Sequence, residues 1–378
     1  MAAVGNVAVV GAGLCGLATA IQLARGGVSV DVIEAQPELT ALGSGISLSG
    51  NALRVLADVG VWEELDAAGF AFDGRVLRAP GPDAPVISRG TDDPSPDGLP
   101  TGMGVPRPEL ARILFDRARA VGANVRFGTK VVRLEHTVDG AWLYDERGVL
   151  GSYDLVIGAD GIHSTVRAQL GIDAQPEPTG MGIWRAFVSR PEEVGTTELY
   201  YGGPAYIAGY TPTGENSMYA FLVFDAEDHF DYSAARGAEL MIEKSQAYGG
   251  PWDSIRADLA SGTAHINYTW FTHHLVPAPW HRGNAVIIGD AAHSCPPTIA
   301  QGAAQGLEDS AVLSELLLGR DRLDDALWEE FHARRVTRAK AVVDASVQLA
   351  EWQRHGQKYA AQMPELLADL GQRLAQPL

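Results

Sequence analysis

Asn6-Val7-Ala8-Val9-Val10-Gly11-Ala12-Gly13-Leu14-Cys15-Gly16 opens the first folded segment of the chain. Asn6 to Val10, apolar from Val7 on, reads as a buried strand, and Leu14 to Arg25 reads as a helix. Between them, Gly11, Gly13 and Gly16 form G-x-G-x-x-G. In that pattern Gly11 permits the tight turn, Gly13 lets the backbone approach a pyrophosphate, and Gly16 lets the helix pack closely on the strand. The helix start offers unpaired N–H groups and partial positive charge to phosphates. A second strand, Val28 to Glu34, ends on the acid Glu34, with Ala35 beside it. That separation suits a carboxylate meeting a ribose hydroxyl. Strand, turn, helix and acid together predict a dinucleotide site, and they do not choose between NAD and FAD.

Working outward, residues 51–68 read as a helix with Leu53, Leu56 and Val59 on one face. Ala79 to Pro100 is rich in Pro, Gly and Asp and reads as an irregular excursion. Pro108 sits in the first turn of a helix running to Val121, where its missing N–H has no partner to lose. Val125–Phe127, Val131–Leu134, Ala141–Tyr144 and Leu155–Ile157 read as strands. From Met181 to Trp270 aromatics become frequent, among them Trp184, Tyr206, Tyr210, Tyr219 and Phe221. Pro, Gly and Asn punctuate them as turns do in an antiparallel sheet. Ala285–Ile288 returns to a buried strand, a helix begins near Gly302, and 324–375 is helical and amphipathic. The expected fold class is α/β: a Rossmann-like domain with an inserted, mostly antiparallel β-sheet domain and C-terminal helices. Its expected pieces are 1–75, 101–178 and 276–323 for the dinucleotide domain and 76–100 for the excursion. The inserted sheet takes 179–275 and the terminal helices 324–378.

The net charge of -18 over 378 residues repels a phosphate backbone, so no nucleic-acid partner is expected. No apolar run approaches the roughly 18 residues of a membrane span, and no signal-peptide pattern precedes Val7. A cytoplasmic protein with no membrane partner is expected. The 2 cysteines, Cys15 and Cys295, are too few for a disulfide framework and stand in no metal-ligand spacing. His273 and His274 are adjacent on a strand and point to opposite faces, so no metal is expected there.

Two further motifs follow. Asp154-Leu155-Val156-Ile157-Gly158-Ala159-Asp160-Gly161-Ile162-His163-Ser164-Thr165-Val166-Arg167 is a strand running into an Asp-Gly turn. Gly283-Asn284-Ala285-Val286-Ile287-Ile288-Gly289-Asp290-Ala291-Ala292-His293 is a strand ending in Gly-Asp. On these three motifs, in this order, the chain resembles the flavin-dependent aromatic hydroxylases of the para-hydroxybenzoate hydroxylase type, which include salicylate and hydroxypyridine-carboxylate monooxygenases. The resemblance runs from about Val7 to Arg338. It implies that the Rossmann-like domain binds FAD, tightly and non-covalently, with NAD(P)H as a transient co-substrate. It also implies residue roles. Asp290 would bind the ribityl hydroxyls. Asp160 and Gly161 would act structurally and in cofactor binding, with Arg167 nearby. Arg107, in Arg107-Pro108-Glu109-Leu110, would contact FAD, and Pro297 would lie over the flavin ring. Gly302 and Ala303 would head the helix aimed at the pyrimidine edge. Gly43-Ser44-Gly45-Ile46 would lie along the flavin. The chain departs from the family pattern at Ala304, commonly Asn, at Ser44, frequently Ala, and at Gly50, frequently Pro.

The activity implied is hydroxylation of a phenolic or N-heteroaromatic substrate by a single-component monooxygenase using NAD(P)H and O2, through a flavin C4a-hydroperoxide. Rival readings on the same motifs are an epoxidase or Baeyer–Villiger oxygenase, or an FAD-dependent reductase without oxygen chemistry. Arg185, on the first strand of the inserted sheet, either holds a substrate carboxylate or phenolate or makes a salt bridge. A buried tyrosine from the sheet, with Tyr206 and Tyr210 as candidates, or His229 is the expected substrate base, the choice among them left open, and Pro297 completes the catalytic set. His293 is read as a packing residue. With one dinucleotide fingerprint, NAD(P)H has no domain of its own, and the permissive Gly43-Ser44-Gly45 loop would let the flavin ring shift to meet it. A monomer or homodimer is expected.

Overall fold

The computed structural model of the chain describes residues 2–40, 45–90, 97–138 and 140–378. Gly43 and Ser44 of the expected flavin loop lie outside the described residues. A six-stranded sheet carries the first motifs, in the order His281–Arg282, Ala285–Ile287, Leu155–Gly158, Asn6–Val10, Ser29–Ile33 and Asn124–Arg126. All its neighbours run parallel except the His281–Arg282 edge. Parallel strands are covered on both faces, which is why three of them read as unbroken apolar runs. Val7, Val9, Val156 and Val286 are fully buried there, in one core with Leu17 and Ile21 of helix Leu14–Arg25 and Leu307 of helix Gly302–Gly319.

The inserted sheet has eight strands, and its long central strand Glu177–Ser189 lies between His265–Leu275 and Ser217–Asp225. Register places Arg185 opposite Phe221 on one side and Asn267 on the other. The structure corrects two expectations here. Residues 76–100 are not all irregular: Arg75–Arg78 and Val86–Gly90 form a hairpin that extends this sheet, and Pro80, Gly81 and Pro82 belong to its turn. The aromatic stretch also contains two helices, Ala234–Lys244 and Pro251–Ser261. Ser233 caps the first by accepting from the Arg236 N–H, and Gly262, at φ 75°, ends the second. These helices cover one sheet face, burying Trp184, Tyr210 and Trp252 together. The opposite face carries Ile183, Phe221 and Tyr219 and turns towards the dinucleotide half.

Smaller adjustments have local causes. Residues 51–68 break into Gly50–Asp58 and Trp62–Ala68 at Gly60, whose φ is 79°. The strand expected at Val131–Leu134 runs Arg133–Thr137 in a separate three-stranded sheet. The tail is two helices, Asp325–Arg354 and Met363–Ala375, tied together where Arg338 donates to the carbonyls of Arg373, Leu374 and Gln376. Among the described residues no helix is long and apolar enough to cross a membrane.

Candidate active site

The three glycines of the first turn differ in what surrounds them. Gly11 has a φ of 104°, and a Cβ there would sit 2.4 Å from the Ala159 carbonyl oxygen. A Cβ on Gly16 would sit 2.1 Å from the Gly11 carbonyl oxygen. Both positions are closed to any side chain. Gly13 is the opposite case: its φ of -75° and ψ of 179° suit any residue, and a Cβ would meet nothing within 4 Å. The protein gives no reason of its own for glycine there. The free space lies at the start of helix Leu14–Arg25, which has no side-chain cap, so its first N–H groups face an opening that suits an anion.

That opening leads into a cleft of about 540 Å³ between the two halves. Gly13, Gly45, Ile46, Arg107, Gly161, Arg185, Asp290, Pro297, Gly302 and Ala303 all line it. Asp290 sits in the short turn Gly289–Ala291, and its carboxylate accepts no hydrogen bond from the described residues. Burial raises its pKa, while His293 and Arg107 pull it down. Arg107 is the first residue of helix Arg107–Ala120 and donates from Nε to the Gly45 carbonyl at 3.1 Å. Its surroundings lower its pKa, with Tyr219 and Asp290 opposing that shift. Asp290 and Arg107 are hemmed in by protein yet open to the cleft, as groups waiting for a polar ligand are.

Arg185 and Tyr219 also line this cleft, on the inserted sheet. Arg185 donates to Thr269 Oγ1 at 2.9 Å and pairs with no carboxylate among the described residues. Burial and the neighbouring Arg107 pull its pKa down to about 10, which leaves it cationic at neutral pH. A guanidinium without a counter-charge, in a cleft, is a site for an anionic oxygen. Tyr219 was named from sequence only among the sheet aromatics, not as a site residue. Its hydroxyl is 2.8 Å from Ser47 Oγ, and its ring is packed so closely on Gly45 that a Cβ there would lie 2.6 Å from the ring carbon Cδ1.

Other expected residues lie off the cleft. Asp160 is spent on its own loop: it accepts from the backbone N–H groups of Thr165 at 2.7 Å and Val166 at 3.0 Å and from the Ser164 hydroxyl. Arg167 is buried and donates to the carbonyls of Ala291 at 2.9 Å and Ile162 at 2.8 Å, so it ties two cleft-lining loops together from behind. Glu34 braces the glycine turn by accepting from the Ala12 N–H at 2.8 Å and from Gln36 N–H at 2.8 Å, and Ala35 is exposed beside it. His293 donates from Nε2 to buried Asp309 at 2.7 Å, which is the packing role expected of it.

The expected substrate bases lie away from the cleft lining. Tyr210 belongs to the helix-covered face, donating to Glu198 at 2.5 Å, with its pKa pushed far up by burial and the neighbouring Tyr200 and Glu198. His229 is on that face too, with its ring beside Trp184 and Tyr232. Alternation along each strand decides this: Trp184 and Arg185 are consecutive and point to opposite sides. Tyr206 is on the cleft-side face but lies near Asp225 and Arg354, away from the cleft lining. Tyr210→Phe and His229→Ala should therefore each change turnover by less than about 3-fold, well under the 10²–10⁴-fold of a lost general base. Steady-state rates of the two variants check this, and a 100-fold loss in either would return that residue to the site.

The model of the family described as FAD binding domain matches residues 5–346. Aurachin C monooxygenase/isomerase of Stigmatella aurantiaca is 31% identical, covering 92% of this chain and 90% of its own. The 6-hydroxynicotinate 3-monooxygenase of Bordetella bronchiseptica is 28% identical, covering 89% of this chain and 90% of its own. Among solved structures, Klebsiella pneumoniae HpxO complexed with FAD and uric acid superposes with a TM-score of 0.83 at 24% identity, covering 98% of this chain and 94% of that one.

Proposed function

The chain belongs to the FAD binding domain family, and we propose that it is a single-component FAD-dependent monooxygenase that uses NAD(P)H and O2 to hydroxylate a phenolic or N-heteroaromatic substrate. It is an FAD-dependent oxidoreductase, and FAD is its cofactor. The residues present suit FAD. The empty space over Gly13 and the uncapped helix start would take the pyrophosphate, and the Asp290 carboxylate, which accepts no hydrogen bond from the described residues, would take the ribityl hydroxyls. Arg107 and the head of helix Gly302–Gly319 would flank the ring system. When bound, the flavin supplies hydride acceptance and O2 activation.

One observation carries the substrate reading: the cleft that begins at the phosphate-binding turn also includes Arg185 of the inserted sheet, a cation that pairs with no carboxylate among the described residues. A ring bearing an ionised oxygen or a carboxylate would be held there by that guanidinium. Ionisation also makes the ring electron-rich, as electrophilic oxygen transfer requires. The sheet's apolar side chains, Ile183, Phe221 and Phe271, would keep water from the ring. We further assign the protein to the cytoplasm, as a monomer or homodimer, with NAD(P)H as a transient visitor.

NADH and NADPH oxidation is measured with 3-hydroxybenzoate, 6-hydroxynicotinate and urate, the ring classes named for relatives. The expected result is oxidation that needs O2 and is accelerated by at least one ring. Reduction that proceeds equally without O2 and without any ring would favour the reductase reading. Arg185→Met should keep FAD bound and weaken the accepted ring by about 10- to 100-fold, the value of a charge-assisted hydrogen bond of ~1.5–3 kcal/mol. Unchanged affinity, read by flavin absorbance titration, would remove Arg185 from the substrate site.

A further inference from the structure

We propose that the terminal helix Met363–Ala375 is a positioning element of the flavin site: its leucines back the loop Pro296–Gln301 from behind, and Arg338 clamps it to the helix that heads towards the ring. This rests on the reading of the cleft as the FAD site. The helix itself lies past residue 346, where the family match ends.

The loop has two faces. On one side Cys295, Pro297 and Ala300 line the cleft, just ahead of Gly302 and Ala303. On the other side Cys295 and Ile299 pack into an apolar cluster to which the terminal helix contributes Leu366, Leu370 and Leu374. These leucines are four residues apart, so they form one stripe, and Leu370 is the buried residue of that helix. The loop needs such a backing. Ala300 sits at φ 55° and ψ 33°, a left-handed conformation that a side chain disfavours and that persists only where the surroundings impose it. Thr298 Oγ1 anchors the loop to the Ser346 carbonyl at 3.1 Å, and Gln301 Nε2 anchors its end to Ser49 Oγ at 2.9 Å. Between those anchors Ile299 is held by apolar packing.

Arg338 fixes the helix in place. Its guanidinium donates from Nε and Nη2 to Glu308 at 2.8 and 2.9 Å, and from Nη1 and Nη2 to the carbonyls of Arg373 and Leu374, each at 2.8 Å. Those carbonyls belong to the last turn of the terminal helix, where the regular helical partners run out. Glu308 belongs to helix Gly302–Gly319, whose first residues line the cleft. One planar side chain thus ties the terminal helix to the helix that would face the pyrimidine edge of the ring. A lysine carries the charge without the fork and cannot make these bonds together.

The consequence falls on the flavin. Pro297 and the helix head keep one distance from the ring only while both are backed, and a loop that drifts admits water above the ring. Among the described residues, no part of the terminal helix lines the cleft. Its effect on the flavin therefore passes through the loop and through Glu308.

The test compares the full chain with one ending at Gln362, with Leu370→Ala and with Arg338→Lys, all loaded with FAD. The readings are amide hydrogen exchange in peptides covering residues 296–303, the visible circular dichroism of the bound flavin, and FAD affinity. In each variant exchange at 298–303 should speed up by at least ~10-fold, while exchange in the strand Asn6–Val10 stays as in the parent. The flavin circular dichroism should weaken, and FAD affinity should fall by about 3- to 10-fold. Leu370→Met, which nearly keeps the volume, should leave all three at parent values. A chain ending at Gln362 that protects 298–303 as the full chain does, with an unchanged flavin spectrum, overturns the proposal. If that chain does not fold, Leu370→Ala and Arg338→Lys decide on the same readings. Exchange that speeds up equally in Asn6–Val10 also overturns it, because the helix would then stabilise the whole fold rather than the loop. A parent that takes up no FAD removes the flavin reading, and the proposal with it.

Discussion

Gly13→Ala should fold as the parent does and fail to retain FAD. The expectation follows from what the structure omits around that residue. An alanine suits the backbone at φ -75°, and its methyl would touch no protein atom within 4 Å. The same methyl would occupy the space in front of the helix start, where a pyrophosphate must come close enough to accept from backbone N–H groups. Overpacking of this kind costs ~1–3 kcal/mol, so FAD affinity should fall by up to about 100-fold. Thermal melting of the flavin-free protein should be nearly unchanged. Gly16→Ala makes the internal control: its Cβ would lie 2.1 Å from the Gly11 carbonyl oxygen, so it should damage the turn itself and lower the stability of the flavin-free chain. A Gly13→Ala protein that binds FAD like the parent would move the pyrophosphate elsewhere.

Arg335→Met is expected to cost ~3–5 kcal/mol of stability, the price of breaking a buried ion pair from one side. Arg335, Glu308 and Asp309 have fully buried side chains. Arg335 donates to Asp309 Oδ1 and Glu308 Oε2, each at 2.7 Å. Asp309 also accepts from the Gly289 N–H at 2.8 Å and from His293, so it holds the loop that presents Asp290. Glu308 accepts from Asn51 at 2.7 Å and from Arg338 at 2.8 Å, joining the start of helix Gly50–Asp58 to the C-terminal helices. Burial alone would raise both carboxyl pKa values, but the arginines, and for Asp309 also His293, outweigh it and hold both below the ordinary range. Depressed carboxyl pKa values stabilise the fold above the unfolded pKa, and that contribution is lost as pH falls through the folded pKa. Without Arg335 burial gains weight and the folded values rise, so the charged carboxylates oppose folding near neutrality. The gap between parent and variant in urea unfolding should therefore be widest near pH 7 and shrink as pH falls from about 5 to 3. A gap that is small, or constant with pH, would contradict the assignment.

The dinucleotide half was legible because its signals are local. Gly11, Gly13 and Gly16 are within six residues, and the strands around Val9, Val156 and Val286 are apolar throughout because both sheet faces are covered. Arg185 was legible as a cation on a strand, although its lack of a carboxylate partner among the described residues was not. Tyr219 was hidden for a different reason. Whether a tyrosine in a sheet faces a helix layer or a cleft depends on strand parity and register. Tyr210 and Tyr219 look alike in sequence until Ile207–Gly214 is paired with Ser217–Asp225. His229 failed similarly, since its neighbours Trp184 and Tyr232 come from a strand and a loop whose meeting no local pattern announces. The two helices 234–244 and 251–261 were overlooked because the aromatics flanking them suggested one continuous sheet. Asp160 shows that a correct motif need not carry a contact: its carboxylate organises the turn, while Gly161 beside it lines the cleft.

The central claim is that this chain delivers an atom of O2 to a ring held beside Arg185. The direct measurement is turnover under ¹⁸O2 in ordinary water, with NAD(P)H and whichever ring most accelerates its oxidation, followed by mass spectrometry of the product. The product should contain one labelled oxygen atom, one NAD(P)H should be consumed per ring, and both should be lost when O2 is withheld. A product whose added oxygen is unlabelled, or that contains no added oxygen while NAD(P)H is still consumed, would contradict it.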